Sequence, residues 1–483
     1  MLRLIIRQAN WGILGSIFVF SIGFFVKTYV IREVGVTQWG SYATAHTFTV
    51  ISDTILSLGI PLVILKFFPH LMSSNREKAS SLIQKILKLS LLISAGFLIS
   101  MYFLSPYLDK YIYTNTDNFS YLLLLISVHV PISIFMGIIT SLYRSVLKIK
   151  EIILYGTFVQ VPLRAVLTFI VFQYSNNIVN FVIIEIFAQV VSLFLLYYFF
   201  HRKEMKLISV QLNNTFKVTE DIIIYGKNIY TNSLVSLLSN QSMAFILGVM
   251  LPSKYMGVYS VLLTITALSM FLNKNLRTVF APAISKLYAE NKISKLNEIY
   301  QKTTFIVNTL TIPFSIILMM FADEIFLWYS PSGNFSIYKP HLFILMIARI
   351  ISLIAGHSKM IMIMAGLEKK EIIIQLLRGV LSVVFAFIFI EEYKLDAIVS
   401  IFLFFMIFVS SFQLYFLKKE LNVSPFSREL LFLILFSIPF TYFAISQEYL
   451  FELYHIIIVP IVVYFIYFLV FHKQIFNLYK ELK

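Results

Sequence analysis

The sequence predicts an all-α polytopic membrane protein with about fourteen transmembrane helices. Three observations predict it: apolar segments of spanning length follow one another along the whole chain, several residue patterns recur once, and basic residues concentrate in alternate connecting segments. Duplicated helical halves are a recurrent plan of secondary transporters. We therefore expect two pseudo-symmetric six-helix lobes in parallel orientation, followed by two additional C-terminal helices.

Composition indicates that most of the chain lies in lipid. Hydrophobic residues make up 59% of the sequence and charged residues only 13%, whereas roughly a quarter of a soluble domain is charged. Because the hydrocarbon core leaves no backbone group unpaired, spans must be helices or a closed barrel, and continuous apolar runs of roughly 20 residues favour helices. The sequence leaves no room for a soluble domain. The absence of cysteine excludes disulfides and any cysteine-based chemistry.

The apolar segments place the helices in order along the chain. Six are expected near residues 8–30, 41–69, 82–104, 119–146, 152–173 and 178–200. Six more are expected near 222–250, 255–282, 302–322, 340–365, 372–390 and 396–417, and the last two near 429–446 and 450–472. The predicted organisation is an N-terminal lobe 1–200, a polar cytoplasmic connector 201–221, a C-terminal lobe 222–418, and a segment 419–483 with two helices and a cytoplasmic tail.

The two lobes are predicted from recurring residue patterns. Gly40-Ser41-Tyr42 recurs as Gly257-Val258-Tyr259, and Gln84-Lys85 recurs as Gln301-Lys302, both at an offset of 217 residues. The segment 147–153 recurs as 367–373 at an offset of 220. The same order with so small a drift indicates a duplicated unit of about six helices. Since that number is even, both lobes have the same orientation and should be related by an axis along the membrane normal.

Basic residues predict the orientation, because they concentrate in cytoplasmic loops. With the N-terminus inside, the predicted inner segments hold 25 of the 39 Lys and Arg residues, and the predicted outer segments hold six. Both termini are therefore expected in the cytoplasm. The net charge of +15 is then mostly a topology signal beside anionic lipid, and no nucleic-acid partner is expected.

The remaining charges lie within the spans, where an ionisable group costs roughly 2.5–3.5 kcal/mol unless it faces a cavity or a partner. Eight of them are basic: Lys66, Arg164, Lys227, Lys274, Arg277, Arg349, Lys359 and Arg378. Only Asp53 and Glu185 are acidic. This excess cannot be removed by mutual pairing, so the sequence predicts a hydrated cavity suited to an anionic substrate.

Charged residues that lie deep within a predicted span are the candidates for lining this cavity. Arg164 and Arg349 fall near the middle of their spans, and subtracting the offset of 220 from Arg349 gives His129. Equivalent positions of pseudo-symmetric helices should face each other across a central cleft, so these three residues are predicted to line it. The alternative is a structural, hydrogen-bonded role for each of them.

Lys274 and Arg277 share one helical face at a spacing of i and i+3, which suits two contacts to one phosphate group. A basic inner helix end whose side chains reach the interface explains the same spacing. Asp53, near the middle of the second span, has two interpretations: a counter-ion of a neighbouring basic residue, or a protonation site that couples transport to a gradient. Glu185 lies nearer the outer face and is given less weight.

The sequence lacks the motifs that are typical of several enzyme classes. The sequence has no G-x-x-x-x-G-K-[ST] loop, no metal-ligand spacing and no outer loop long enough for a glycosyltransferase site. We therefore expect no enzyme activity, no metal and no cofactor, and a driving force from an ion gradient, the membrane potential or substrate supply.

Three segments resemble the polysaccharide-export branch of the multidrug/oligosaccharidyl-lipid/polysaccharide (MOP) exporter superfamily. They are Gly248 to Tyr259, Ala281 to Glu290, and Val34 to Tyr42. The resemblance implies a V-shaped pair of lobes that work by alternating access, with a cationic central cavity. In the O-antigen and capsule flippases of this branch, the cargo is an undecaprenyl-diphosphate-linked oligosaccharide that moves from the cytoplasmic to the periplasmic leaflet. It also implies a bacterial inner membrane, and polysaccharide polymerase and chain-length machinery as partners.

Three other functions stay open at this point. A peptidoglycan-precursor flippase shares fourteen helices and a basic cavity. A drug/cation antiporter of the same superfamily typically has twelve helices and an acidic cation site, and Asp53 keeps this alternative open. A membrane glycan polymerase would need a long outer loop, which the predicted topology lacks.

Overall fold

A computed structural model describes residues 2–74, 76–116, 119–204, 220–330, 335–446 and 455–482. Side chains are described for these residues except 2–10, 13, 272–283, 456–457, 473 and 475–482. Within the described residues the chain consists of helices and short turns, with no β-strand. This confirms the all-α fold class.

The helices follow the apolar segments of the sequence. Those of the first half are α1 Leu2–Leu56, α2 Ile60–Ser74, α3 Arg76–Tyr111, α4 Phe119–Ser127, α5 His129–Ser145, α6 Ile149–Glu151, a π-helical segment Ile152–Thr157, α7 Phe158–Phe172, α8 Ile178–Lys203 and α9 Glu220–Met250. The remaining helices are α10 Ser253–Ala289, α11 Ile293–Met320, α12 Ala322–Tyr329, α13 Lys339–Ile354, α14 Ser358–Met364, α15 Glu368–Leu421, α16 Arg428–Ser446 and α17 His455–Leu482, with a 3₁₀ turn at Ser336–Tyr338.

Eleven stretches of the described chain are long and apolar enough to cross a membrane. Two of them, Leu14–Leu56 and Glu368–Leu421, have 43 and 54 residues, about twice the roughly 20 residues that one crossing needs. Each bends at one interior residue, Gly35 or Lys394. Dividing both at these bends and adding the two shorter apolar helices, Ile60–Ser74 and Ile458–His472, gives fifteen segments. Ile60–Ser74 follows the second half of α1 within the predicted span 41–69, so the fifteen segments correspond to the fourteen predicted spans.

The bend in α1 depends on glycine. Gly35 has φ 81° and ψ 161°, a region that only glycine adopts without strain. We expect Gly35→Ala to destabilise the fold by about 1–3 kcal/mol, seen as a lower melting temperature of the detergent-purified protein. Gly96→Ala is the matched control, because a Cβ at Gly96 meets no atom within 4 Å. Equal melting temperatures for the two variants would contradict this origin of the bend.

Contacts between connecting segments agree with the predicted alternation. Asn176 Nδ2 donates to Glu33 Oε2 over 2.8 Å, and Asn115 Nδ2 donates to the Met250 carbonyl over 3.2 Å. All four residues lie at ends predicted to be on the same side. Further pairs that join predicted same-side ends are Lys148–Glu204, Lys339–Asp323 and Lys370–Glu420. An error in the number of spans would have placed some of these partners on opposite sides.

The contacts divide the chain into two compact units, Met1–Gly257 and Val258–Lys483. The first unit has an apolar core on α2, α3 and α5, built around Ile64, Phe68 and Leu142, which are fully buried. In the second unit, a core cluster around Ile361 and Leu417 joins α14 to the end of α15. The six-helix lobes with bounds 1–200 and 222–418 stay a prediction, since a division by packing does not measure pseudo-symmetry.

Candidate functional site

The first unit contains a buried carboxylate that three other helices contact. Glu185 on α8 is 6% exposed. Arg164 Nη1 from α7 donates to its Oε1 over 2.7 Å, and the Tyr42 hydroxyl from α1 donates to its Oε2 over 2.7 Å. His129 Nε2, at the start of α5, lies 3.8 Å from the same Oε2. Glu185 therefore connects α1, α5 and α7 to α8 through polar contacts.

The short turn between α7 and α8 explains why Arg164 and Glu185 meet. Arg164 lies eight residues before the end of α7 at Phe172, and Glu185 lies seven residues after the start of α8 at Ile178. Two antiparallel helices joined by a short turn bring residues equally far from that turn to the same depth. Neither charge is then left alone in a low-dielectric surrounding.

A cavity of about 110 Å³ opens beside this carboxylate. A polar site holds one water in about 10–15 Å³ on this measure, so the cavity accommodates several. Polar groups from α1, α5 and α8 surround it. The lining residues are His46, Thr49, Val50, Asp53, His129, Val130, Ser133, Glu185 and Gln189.

Asp53 lies in this cavity rather than in an ion pair. Its Oδ1 is buried and has no hydrogen-bond partner, and the carboxylate interacts with the Ser133 hydroxyl. Across the described part of the chain, no Lys, Arg or His side chain forms a salt bridge with Asp53. The counter-ion interpretation therefore has no partner in this region, whereas a group that takes up a proton from cavity water needs none.

His129 connects the carboxylate to the other side of the cavity. Its Nδ1 lies 2.9 Å from Gln189 Oε1, so Nδ1 carries a proton when Gln189 accepts. Its Nε2, which faces Glu185, then carries a second proton only in the charged imidazolium form. His46, which sequence reasoning left without a role, is exposed at the cavity. Two carboxylates and two imidazoles make this cavity suited to protons or cations rather than to an anion.

The second unit has a positive charge, that of Arg349, in its membrane-spanning part. Arg349 lies on α13, with its guanidinium carbon 4.9 Å from the centroid of the Phe402 ring. Its Nε is buried without a hydrogen-bond partner. Tyr259 and Arg378 lie within electrostatic range of Arg349, and no carboxylate pairs with Arg349 among the residues described. Arg349 thus keeps an uncompensated positive charge, with a second arginine nearby.

A second buried carboxylate in this unit is already compensated. Glu371 is 2% exposed. Gln413 and Gln375 each donate an amide hydrogen to it, over 2.9 and 2.8 Å, and Lys359 Nζ lies 3.7 Å away. The Ser358 hydroxyl in turn donates to Gln413 over 2.7 Å. Lys359, one of the eight basic residues that the sequence places within the spans, is therefore part of this network, although its side chain is 42% exposed.

The structure brings together some of the predicted site residues. His129 and Asp53 line one cavity of the first unit, and Arg164 pairs with Glu185 in the wall of that cavity. Arg349 belongs to the second unit, so its predicted position opposite His129 stays a prediction. Lys274 and Arg277 lie within α10, and their side chains are outside the described residues. Sequence reasoning gave Glu185 little weight and missed Tyr42 and Gln189, since uncharged residues leave no signal in a charge count.

Comparisons with known proteins give a family and a fold. The sequence profile of the family described as "Polysaccharide biosynthesis protein" matches residues 5–288. No curated protein matches the chain at a significant level.

Several solved transporters share the fold at low sequence identity. An inward-facing multidrug resistance MATE family transporter of the MOP superfamily aligns with a TM-score of 0.67 and 15% identity, over 87% of this chain and 95% of its own. A MATE structure in the bent conformation aligns with a TM-score of 0.59 and 15% identity, over 92% and 97%. A MOP superfamily transporter from Pyrococcus furiosus, described by the reverse polarity of its binding pocket, aligns with a TM-score of 0.61 and 17% identity, over 87% and 95%.

Proposed function

Because the chain belongs to the polysaccharide biosynthesis protein family, we propose that it is a flippase for undecaprenyl-diphosphate-linked oligosaccharide repeat units. The units are of the O-antigen or capsule type and move from the cytoplasmic to the periplasmic leaflet by alternating access. Two findings support this proposal: the family match, and a fold shared with MOP superfamily transporters. The resemblance seen in the sequence is confirmed at the level of the superfamily.

The charge of Arg349 is the observation that supports an anionic substrate. A guanidinium in a membrane-spanning helix, without a carboxylate among the described residues, needs an anion or water to offset its charge. The planar guanidinium also matches the oxygens of a phosphate group in a two-point contact. The diphosphate of the lipid carrier supplies such an anion. The sugars would occupy the hydrated cleft while rocking of the lobes exposes them to the other side.

The cavity of the first unit supports an ion-coupled cycle. A binding event changes the balance of two conformations only if it favours one of them. Protonation of Asp53 changes the charge of a cavity that also holds Glu185, His46 and His129. We infer that this group takes up the coupling proton. The same observation favours a drug/cation antiporter as the second candidate function.

The proposal includes location and partners. The protein is a multi-pass protein of the bacterial inner membrane with both termini in the cytoplasm, and it passes its cargo to polysaccharide polymerase and chain-length machinery. The excess of basic residues in the predicted inner segments supports this orientation. Labelling of single added cysteines with a membrane-impermeant thiol reagent tests it, because the natural chain has no cysteine.

Lipid analysis of cells that lack this protein tests the function. We expect a complete undecaprenyl-diphosphate-linked repeat unit to accumulate while surface polysaccharide disappears, and the wild-type gene to reverse both changes. Accumulation of peptidoglycan precursor instead, with arrest of growth, would favour the peptidoglycan-precursor flippase. Intact surface glycan without any accumulation would favour the antiporter.

The role of Asp53 gives a prediction of its own. Asp53→Asn keeps the size of the side chain but removes the proton-binding carboxylate, so we expect export to fall several-fold at an unchanged amount of protein in the membrane. The remaining export should no longer respond to an uncoupler that collapses the proton gradient. Ser133→Ala is the matched control, since it alters the same cavity without removing a titratable group. Export by Asp53→Asn that is normal and still sensitive to the uncoupler would exclude this role.

A further inference from the structure

The glycines of the recurring Gly-x-Tyr pattern lie at a close approach of two helices. A Cβ atom added to Gly40 on α1 would lie 1.8 Å from the Ser253 carbonyl oxygen at the start of α10. A Cβ added to Gly257 would lie 2.1 Å from the Val36 carbonyl oxygen of α1. Both distances are far below contact, and both obstructing atoms belong to the backbone. Only glycine at these two positions permits the two helices to lie this close.

The two contacts are equivalent under the sequence repeat. Gly257 and Ser253 lie 217 residues after Gly40 and Val36, respectively, which is the offset of the recurring pattern. Gly40 of the first repeat therefore contacts Ser253 of the second, and Gly257 of the second contacts Val36 of the first. Such a reciprocal exchange is what a two-fold axis between the two helices produces. The structure thus places a local pseudo-two-fold axis between Gly40 and Gly257.

Other contacts gather at the same end of the molecule. Ser253 Oγ donates to Thr116 Oγ1 over 2.9 Å, and the connecting segment that holds Thr116 also contacts the end of α9 through Asn115. A Cβ on Gly248 of α9 would lie 2.7 Å from the Thr44 methyl group of α1. All of these residues lie in segments, or at helix ends, that the charge pattern predicts to be on the outer side. These contacts within the first unit therefore cluster around the Gly40–Gly257 approach.

Each of these two glycines is followed, two residues later, by a tyrosine that interacts with buried charged residues of the same repeat. The Tyr42 hydroxyl donates to Glu185, which Arg164 also contacts. Tyr259 is 3% exposed and lies within electrostatic range of Arg349 and Arg378. Since two residues on one helix move together, a separation at the glycines would also shift both tyrosines. The contact and the charged clusters are thus mechanically connected.

We propose that the Gly40–Gly257 contact is a symmetric gate that closes the outer end in this conformation and separates when cargo leaves. This inference rests on the proposed transport function. The contacts at the gate are weak ones, because backbone C–H···O approaches contribute about 0.5–1 kcal/mol each. A contact of this strength can hold one state closed and still open within a cycle in which the two states differ by a few kcal/mol.

A disulfide across the gate tests the proposal. Thr116→Cys combined with Ser253→Cys replaces two hydroxyls that are in contact, in a chain without other cysteines. We expect an oxidant to link the pair, surface polysaccharide to fall at least about tenfold, and dithiothreitol to restore it. The matched control is Ser105→Cys with Ser120→Cys, whose hydroxyl oxygens lie 3.4 Å apart on α3 and α4 of the first repeat. This control pair should link without loss of export.

Glycine variants give a second readout that needs no cargo. Adding Gly40→Ala or Gly257→Ala to the Thr116–Ser253 cysteine pair should force the helices apart and lower the yield of the disulfide several-fold. Gly96→Ala, with free space around its Cβ, should leave the yield unchanged. The gate is disproved by full export from the fully linked protein, or by equal disulfide yields in the three glycine variants. Failure of the proposed cargo would show in the lipid analysis and would leave surface polysaccharide insensitive to the oxidant, but the disulfide yields would be unaffected and would then decide on the gate.

Discussion

Replacing Arg349 by alanine is expected to reduce glycan export by at least about tenfold while the protein still inserts into the membrane. Its guanidinium lies over the Phe402 ring, its Nε is buried without a hydrogen-bond partner, and no carboxylate among the described residues pairs with it. Loss of a charge-assisted hydrogen bond costs about 1.5–3 kcal/mol, which corresponds to roughly a 10- to 150-fold weaker interaction with the diphosphate. The measurement is surface polysaccharide per amount of membrane-inserted protein.

The amount of folded protein should stay normal in this variant. Removing Arg349 leaves no buried acid without its partner in the described region, so the large penalty of a broken ion pair does not arise. Arg349→Lys should keep part of the activity, because an ammonium keeps the charge but loses the two-point geometry. Arg202→Ala, at an exposed arginine that donates to the Tyr198 hydroxyl, is the control for loss of charge alone. Near-normal export by Arg349→Ala would remove the cationic cavity from the proposed mechanism.

The course of the helices could be predicted from the sequence because a spanning segment must be long and continuously apolar. Each predicted span overlaps a described helix, and even the two bent helices divide at connections that the charge pattern had placed outside. The interruptions within spans could not be predicted. One break, at residues 57–59, separates α1 from α2. The other, at residues 355–357, separates α13 from α14. A break of about one turn leaves hydropathy unchanged, so the apolar pattern continues across it.

The candidate site was predictable only in part. Charges within apolar runs identify Arg164 and Asp53 as intramembrane residues, and the repeat identifies His129. Pairing depends on helix contacts that a charge count does not contain, so the sequence left Arg164 with two interpretations, a cavity-lining residue or a structural, hydrogen-bonded one. The nearly equal spacing of Arg164 and Glu185 from the turn at residues 173–177 is the signal that would have revealed the pair. Tyr42 becomes informative only with the structure, through its hydrogen bond to Glu185.

Breaking the Arg164–Glu185 pair should give the largest loss of stability. Side-chain exposure is 19% for Arg164 and 8% for Glu185, and their atoms lie 2.7 Å apart. Removing one partner of such a buried pair costs about 3–5 kcal/mol, because the other charge is left uncompensated. We therefore expect Glu185→Leu and Arg164→Met each to lower the melting temperature and the amount of folded protein. If Arg164 only lined the cavity, as the sequence predicts, its loss would reduce export and leave the amount of folded protein unchanged.

The double variant separates a structural role from a cargo-binding role. When Arg164→Met and Glu185→Leu are combined, no buried charge is left alone, and replacing a buried pair by apolar residues of similar volume is often neutral. Most of the stability should return, and adding Tyr42→Phe should recover the rest by removing a hydroxyl that has lost its acceptor. Because Glu185 already offsets the charge of Arg164 in the native protein, export should return together with stability. If stability returned without export, Arg164 would belong to the cargo cavity, as the sequence predicts, and Glu185 would hold it there until the diphosphate arrives.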